Sequence, residues 1–245
     1  MNLKMNKQDV PPMQTSRRGY IGVDYVDHLG SDSTVVNAAR VSFNKHSIVD
    51  AFSEKDAKLI DYLARHNHWS PFSHCFVQLR VKAPIFVARQ LAKHQVGLTW
   101  NEVSRRYINE APEFYEPASW RGKAANNKQG SFGVIGQQDF ANQVMDMVHG
   151  TAFQSYKDLI NWGVAPEMAR MILPQTTMTE WYWSGSLYGF ARVCKQRLHS
   201  HSQLETADVA GWIDTICKKL FPHSWDALSR NQHQPTEGEN DNEAN

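Results

Sequence analysis

The sequence predicts a mixed α and β domain, and three observations carry that reading. Around residues 75–82 the apolar Cys75, Val77, Leu79 and Val81 alternate with Phe76, Gln78, Arg80 and Lys82, the period of a half-buried strand. Leu187, Phe190, Ala191, Cys194 and Leu198 recur at the spacing of a helix with one buried face. The composition is globular, 41% hydrophobic and 21% charged over 245 residues, which suffices for one large core or two small ones.

The elements follow in order. Residues 1–18 are polar, contain Pro11-Pro12 and lack periodicity, so they read as a mobile arm. Tyr20 to Val26 reads as a strand, and Ser31 to Ser42 as a helix with Val35, Ala38 and Ala39 on one face. Ser53-Glu54-Lys55-Asp56 opens a helix with a start like a capping box; Ala57, Ile60, Leu63 and Ala64 form its stripe, and Asn67 ends it. After the strand at 75–82, Pro84 suits a first helical position, and Ile85, Ala88 and Ala92 share a face. Glu113 to Tyr115 reads as a short strand. Gly122 to Gly136 is rich in Gly and Asn and reads as a loop, a candidate lid. Phe140, Val144, Met147, Val148, Ala152, Tyr156, Leu159 and Ile160 mark a long amphipathic helix that Gly163 stops. Pro166 opens a short helix closed by Pro174. Gln175 to Ser184 is dense in Thr and aromatic residues, as a strand is. Val209, Ile213, Ile216 and Leu220 stripe a last helix, which Pro222 ends. Residues 231–245 form an acidic tail, with four acids and no base from 234 onward. No internal repeat or second domain boundary is visible.

Composition also excludes. A net charge of +1 argues against a general nucleic-acid or membrane binder. Cys75, Cys194 and Cys217 are too few and too scattered for a disulfide framework or a zinc site, and each lies on an apolar face. They suit a reducing cytoplasm. No signal peptide or membrane-spanning apolar run is visible. Eleven histidines invite a metal, but no His-Glu-x-x-His or paired Cys-x-x-Cys occurs, and His199 and His201 are expected on different sides of a helix.

Chemistry-bearing side chains are densest over residues 88–107. Gln90, Lys93 and His94 stand at i, i+3 and i+4 and are expected to form one polar patch at a helix end, which Gly97 breaks. Asn101, Glu102, Ser104, Arg105 and Arg106 then crowd a short segment. Two guanidiniums, a hydroxyl and a carboxylate suit a ligand with a phosphate and a hydrogen-bonding ring; the plainer reading is a solvated charged loop. Arg197 projects from the apolar stripe of its helix, where a charge is costly unless it is paired. Snorkelling, a core ion pair or an anionic ligand would each account for it.

Lys93-His94-Gln95, eight residues, Ser104 and then Arg106-Tyr107 resemble the signature of the flavin-dependent thymidylate synthases: Arg-His-Arg, seven or eight residues, Ser, then Arg-Tyr. Both triplet arginines are replaced here. Other segments resemble the family in its order. Asn37 to Ser42 is similar to its Ala-Arg-x-Ser segment. His68-Trp69-Ser70-Pro71-Phe72-Ser73-His74 is similar to its His-x-Thr-Pro-Phe-Glu-His turn, with Ser73 in place of the carboxylate. Val81 to Gln90 is similar to the lead-in to its signature. Glu167-Met168-Ala169-Arg170 with Pro174 is similar to its Glu-x-Ala-Arg-x-x-Leu-Pro segment. Arg197, His201, Gln203 and Glu205 fall at the spacings of its Arg-x-x-x-His-Ala-Gln-x-Glu. On the helix before that Arg the family commonly has Asn-x-Arg and a later Asn; the equivalent positions here are Ser186, Tyr188 and Arg192.

The resemblance implies an α+β fold, a twisted and mainly antiparallel sheet with packed helices, the thymidylate synthase-complementing fold, as a single domain over 19–230. It implies a homotetramer with active sites assembled from several subunits. It also implies reductive methylation of dUMP to dTMP, with 5,10-methylenetetrahydrofolate as carbon donor, FAD as hydride carrier and NADPH as reductant, and with neither nucleic acid nor membrane as partner. By resemblance Arg197 is catalytic. Gln90, Lys93, Glu102, Ser104, Arg105, Arg106, Arg170 and Arg197 bind dUMP. Ser42, His68, Ser70, Lys93, His94, Gln95, Glu102, Ser186, Arg192 and Gln203 bind FAD. A metal-dependent nucleotide hydrolase and an inactive nucleotide- or flavin-binding protein stand as alternatives.

Overall fold

The alternating run around Val77 becomes one of the two inner strands of a four-stranded sheet. The computed structural model describes residues 19–43, 52–108, 110–124 and 130–231; the arm expected over 1–18 and the tail beyond Asn231 lie outside them. Strands β1 (Gly22–Leu29), β2 (Phe76–Pro84), β3 (Leu98–Glu102) and β6 (Met178–Ser186) assemble in the order β1-β2-β6-β3, each antiparallel to its neighbour. Alternation sorts the two faces. Val77, Leu79, Val81, Trp181 and Trp183 are buried on one, while Phe76, Tyr182 and the Arg80–Glu180 ion pair, 2.6 Å, lie on the other. Helices α1 (Asp32–Arg40), α2 (Glu54–Arg65), α3 (Ile85–Leu91), α6 (Leu187–Arg197), α7 (Leu204–Leu220) and α8 (Pro222–Asn231) contribute Val35, Ile60, Leu91, Phe190, Ile213 and Trp225 to one core with that inner face. Burying such a side chain contributes about 1.5–3 kcal/mol each, so this interface dominates stability. The result is the antiparallel α+β architecture of the expected class.

Local rules hold at several ends. Ser53 caps α2: the Asp56 amide donates to its Oγ at 3.4 Å, and its own amide donates to the Asp56 carboxylate at 2.8 Å. On the sheet edge, Trp100 of β3 stacks on Trp181 of β6 with ring centroids 4.1 Å apart. That contact fastens the signature segment to the sheet.

Other expectations are corrected. The loop expected over 122–136 contains a hairpin, β4 (Arg121–Lys123) with β5 (Ser131–Val134), tied to α7 by the Arg121–Glu205 ion pair at 2.6 Å. Gly130, at φ +91, precedes β5, and Gly133, at φ +61, sits within β5 where the pairing register shifts, so the glycines shape the short strands without forbidding them. Pro222 ends α7 yet also opens α8, whose first-turn amides at His223 and Ser224 donate to the Asp32 carboxylate at 3.1 and 2.8 Å. That cap comes from 191 and 192 residues away, beyond any local reading. Residues 113–115 make only isolated bridges, Phe114 with Thr177 and Tyr115 with Gly19. His199 and His201 follow the end of α6 in a turn, and their rings lie side by side, centroids 5.0 Å apart. The long helix, α4 (Gln138–Asn161), forms as expected, but its apolar stripe is divided: Ala152 and Tyr156 are buried, while Phe140 and Met147 are 68% and 65% exposed. The short pieces are α5 (Pro166–Ala169) and 3-10 turns at Val41–Phe43, Ser70–His74 and Arg170–Ile172. No helix among the described residues is long and apolar enough to cross a membrane.

Candidate active site

Arg197 is the last residue of α6, held there by two hydrogen bonds that it donates. Its Nε donates to His94 Nε2 at 2.9 Å, and a terminal nitrogen donates to the Gln90 carbonyl at 3.2 Å. No carboxylate pairs with it among the described residues. For His94 to accept, the ring must be neutral with its proton on Nδ1, and the surroundings favour the neutral form. Burial first, then the Arg197 and Arg192 charges, push the imidazole down to about 4. Burial also lowers the Arg197 pKa, though a guanidinium keeps its charge at neutral pH.

Behind this pair, Gln90 is braced by α7. Its side-chain nitrogen Nε2 donates to Gln203 Oε1 at 2.5 Å, and Thr206 Oγ1 donates to its side-chain oxygen Oε1 at 3.2 Å. Thr206 is fully buried and was not a sequence candidate; nothing but its place after Glu205 marks it. Glu205 accepts from Arg121 at 2.6 Å and from the Tyr115 hydroxyl at 3.4 Å. Burial works to raise its carboxyl, but the hydrogen bond and charge of Arg121, together with hydrogen bonds from the backbone and Gln203, outweigh it and hold the pKa below the usual range.

The polar patch expected at the end of α3 is thus divided. Helix α3 stops at Leu91, Gln90 turns inward to α7, and Lys93 and His94 face a cavity of about 140 Å³ with Gln95, Arg192 and Arg197. Arg197 also borders a second cavity of about 470 Å³, with Gln90, Gly130, His201 and Gln203. Among the described residues neither cavity has a carboxylate in its lining.

Glu102, Arg105 and Arg170 line a third cavity, of about 360 Å³. Glu102 accepts from Thr179 Oγ1 at 2.6 Å and from Trp100 Nε1 at 3.1 Å, so its carboxylate is fixed at the strand end. Arg105 donates to the Glu110 carbonyl, Arg170 to the Glu167 carbonyl, and exposed Arg106 to Ser104 Oγ at 3.2 Å. Along β3, Leu98 borders the first cavity and Glu102 the third; four strand residues span about 13 Å. One chain therefore does not close the candidate nucleotide residues around one point.

The remaining candidates lie toward the start of α6. Trp69 of the 68–74 turn packs against Tyr188, centroids 6.2 Å apart, and the Tyr188 hydroxyl donates to Asn67 at 3.0 Å. His68 and Ser70 are exposed on that turn, and Ser42 is exposed after α1. Ser186 is buried, and its hydroxyl accepts from the Gly189 amide at 3.1 Å, capping α6. Arg192 and Arg197 follow Tyr188 by roughly 6 and 13 Å along the helix axis, at 1.5 Å per residue. A cavity of about 880 Å³ between α4 and α7 holds none of the candidates. All three cysteines are free and buried; burial pushes the Cys75 thiol up to about 12 and the other two well above the usual range. Among the described residues no group of three or more His, Cys, Asp or Glu could share a metal ion.

Fold and site together define an α+β domain whose fixed arginine faces two cavities without carboxylates, an arrangement for anionic ligands. A family model described as thymidylate synthase complementing protein matches residues 24–223. A flavin-dependent thymidylate synthase of Thermus thermophilus is 41% identical over 206 residues, covering 84% of this chain and 74% of that one. One of Thermosipho africanus is 37% identical, covering 83% and 88%. Among solved structures, the UMP/dUMP methylase PolB from Streptomyces cacaoi, bound with 5-Br dUMP, superimposes with a TM-score of 0.80 at 30% identity, covering 89% of this chain and 99% of that one. The chain belongs to the flavin-dependent thymidylate synthase family and is an enzyme of that kind.

Proposed function

We propose that the protein converts dUMP to dTMP by reductive methylation, with 5,10-methylenetetrahydrofolate giving the carbon, FAD carrying the hydride and NADPH supplying it. The observation that carries this reading is Arg197, fixed at the boundary of two carboxylate-free cavities by His94 and Gln90. Relatives named for flavin dependence and a matching fold named for dUMP methylation support it. The donor set fits a flavin dinucleotide: Lys93, Arg192 and Arg197 present three cations, and neutral His94 and Gln95 add hydrogen bonding.

FAD, when bound, supplies the two-electron chemistry, and the protein binds, orients and polarises. Bond formation at C5 needs an electron-rich uracil, and Arg197 meets the negative charge that develops near N3. Accepting the Nε hydrogen, His94 sets the guanidinium plane and leaves its outer edge to the substrate. Gln90, Lys93, Glu102, Ser104, Arg105, Arg106 and Arg170 hold the nucleotide, with Arg106 and the Ser104–Arg105 backbone on its phosphate. Ser42, His68, Ser70, Lys93, His94, Gln95, Glu102, Arg192 and Gln203 serve the flavin, and Ser186 does so through the α6 cap. Buried thiols held in the protonated form do not supply a nucleophile to the ring.

The separation of Glu102, Arg105 and Arg170 from Arg197 supports a homotetramer in which several subunits complete each site, and we place this work in the cytoplasm. The test uses purified protein. A flavin spectrum is expected, with oxidation of the reduced flavin on adding dUMP and methylenetetrahydrofolate and dTMP detected by mass spectrometry; UMP is run in parallel. A colourless protein that binds no added FAD would overturn the reading.

A further inference from the structure

The cavity of about 140 Å³ beside Arg197 gathers Lys93, Arg192 and Arg197 around His94 and Gln95, with no carboxylate in its lining. Among the described residues Arg192 has neither an ion-pair nor a hydrogen-bond partner. Its charge nonetheless reaches the cavity, for it helps to depress the His94 imidazole. Like charges gathered around a concave surface repel one another, and an anionic group placed among them relieves that cost. In the pattern the chain resembles, the third triplet position carries a guanidinium and the helix position an amide. Here Gln95 is the amide and Arg192 the guanidinium, on two elements that face the same cavity.

We infer that Arg192 supplies from α6 the positive charge that Gln95 does not supply from the loop, and that it contacts the anionic part of the flavin cofactor. The charge has moved across the cavity rather than been lost, and this explains how an altered triplet is compatible with a flavin site. The inference rests on the flavin reading above.

The test is a cycle of Arg192→Gln, Gln95→Arg and the double variant. FAD dissociation constants come from flavin fluorescence quenching, with urea unfolding as a control. Loss of a charge-assisted contact predicts that Arg192→Gln weakens FAD about tenfold or more, with the unfolding midpoint unchanged. The double variant should recover to within about threefold of the parent, so that the two changes are strongly non-additive. In the cofactor-free protein, the His94 pKa followed by NMR should rise in Arg192→Gln and fall again in the double variant. If the parent binds FAD and Arg192→Gln binds it as tightly, or if Gln95→Arg restores nothing, the inference is overturned while the flavin reading stands. If the parent binds no FAD, both fall.

Discussion

Arg197 combines a permanent charge with a place at the end of an apolar helix stripe, and only its geometry reconciles the two. Nε and one terminal nitrogen are committed to His94 and Gln90, which satisfies part of the guanidinium and fixes its plane. Lysine would offer one point charge and could not fill both contacts in a plane. Arg197→Lys should keep the far-ultraviolet dichroism and unfolding midpoint and lower turnover by about 100-fold or more, the scale of losing an oriented donor to developing charge. Near-parental turnover would remove Arg197 from the chemistry. His94 gives a second, pH-dependent prediction. Its folded value lies near 4, below the ordinary 6.5. Above 6.5 neither state holds the proton. Between 6.5 and about 4 the unfolded chain binds a proton that the folded chain resists, so stability falls as pH falls across that window. Urea midpoints at pH 7.5 and 5 should therefore drop more in the parent than in His94→Gln; equal drops would contradict the buried neutral imidazole.

The junction of α3, β3 and α6 depends on Gly97. It sits at φ +74, a conformation that costs most residues about 1–2 kcal/mol, and its carbonyl accepts from the Ser186 amide at 2.9 Å. A Cβ there would also stand 2.9 Å from Ser186 Oγ, the cap of α6. Gly133 has φ +61 but nothing within 4 Å of an added Cβ. Gly97→Ala should thus lose more stability than Gly133→Ala and, unlike it, should shed flavin, because it pushes on the helix that bears Arg192 and Arg197. Chemical denaturation and the flavin-to-protein absorbance ratio measure both. Equal effects would mean that α6 is insensitive to the turn at its base. The sequence marked Gly97 as a helix breaker; the helix has already ended at Leu91, and the glycine serves the close approach of β3 to α6.

At the scale of the whole molecule, Glu102 and Arg197 line different cavities, which is the ground for proposing that more than one chain completes each site. If several subunits complete each site, co-expressed Arg170→Ala and Arg197→Ala chains will form some sites that carry both arginines. The mixture should then make dTMP although each variant alone does not. A mixture as inactive as its parts would place both arginines in one subunit's site. The exposed Phe140 and Met147 on α4 give a hydrophobic face that an assembly can cover. Sedimentation should show four chains of 28.0 kDa.

Alternation at Val77, Leu79 and Val81, the stripe through Phe190 and Cys194 and the Ser53 cap were legible in the sequence because each rests on neighbours two to four residues apart. The signature from Lys93 to Tyr107 was legible for the same reason, being contiguous. The sequence by itself therefore determined the α+β class, most of the elements and the family. It could not show that His94 and Arg197, 103 residues apart, share a hydrogen bond. Nor could it show that Asp32 caps α8, that half the α4 stripe faces outward, or that one polar patch divides between two cavities. Those outcomes depend on which surfaces meet once the sheet has closed against its helices. A side chain's pattern states that it prefers a partner; only the tertiary structure brings one within 3 Å.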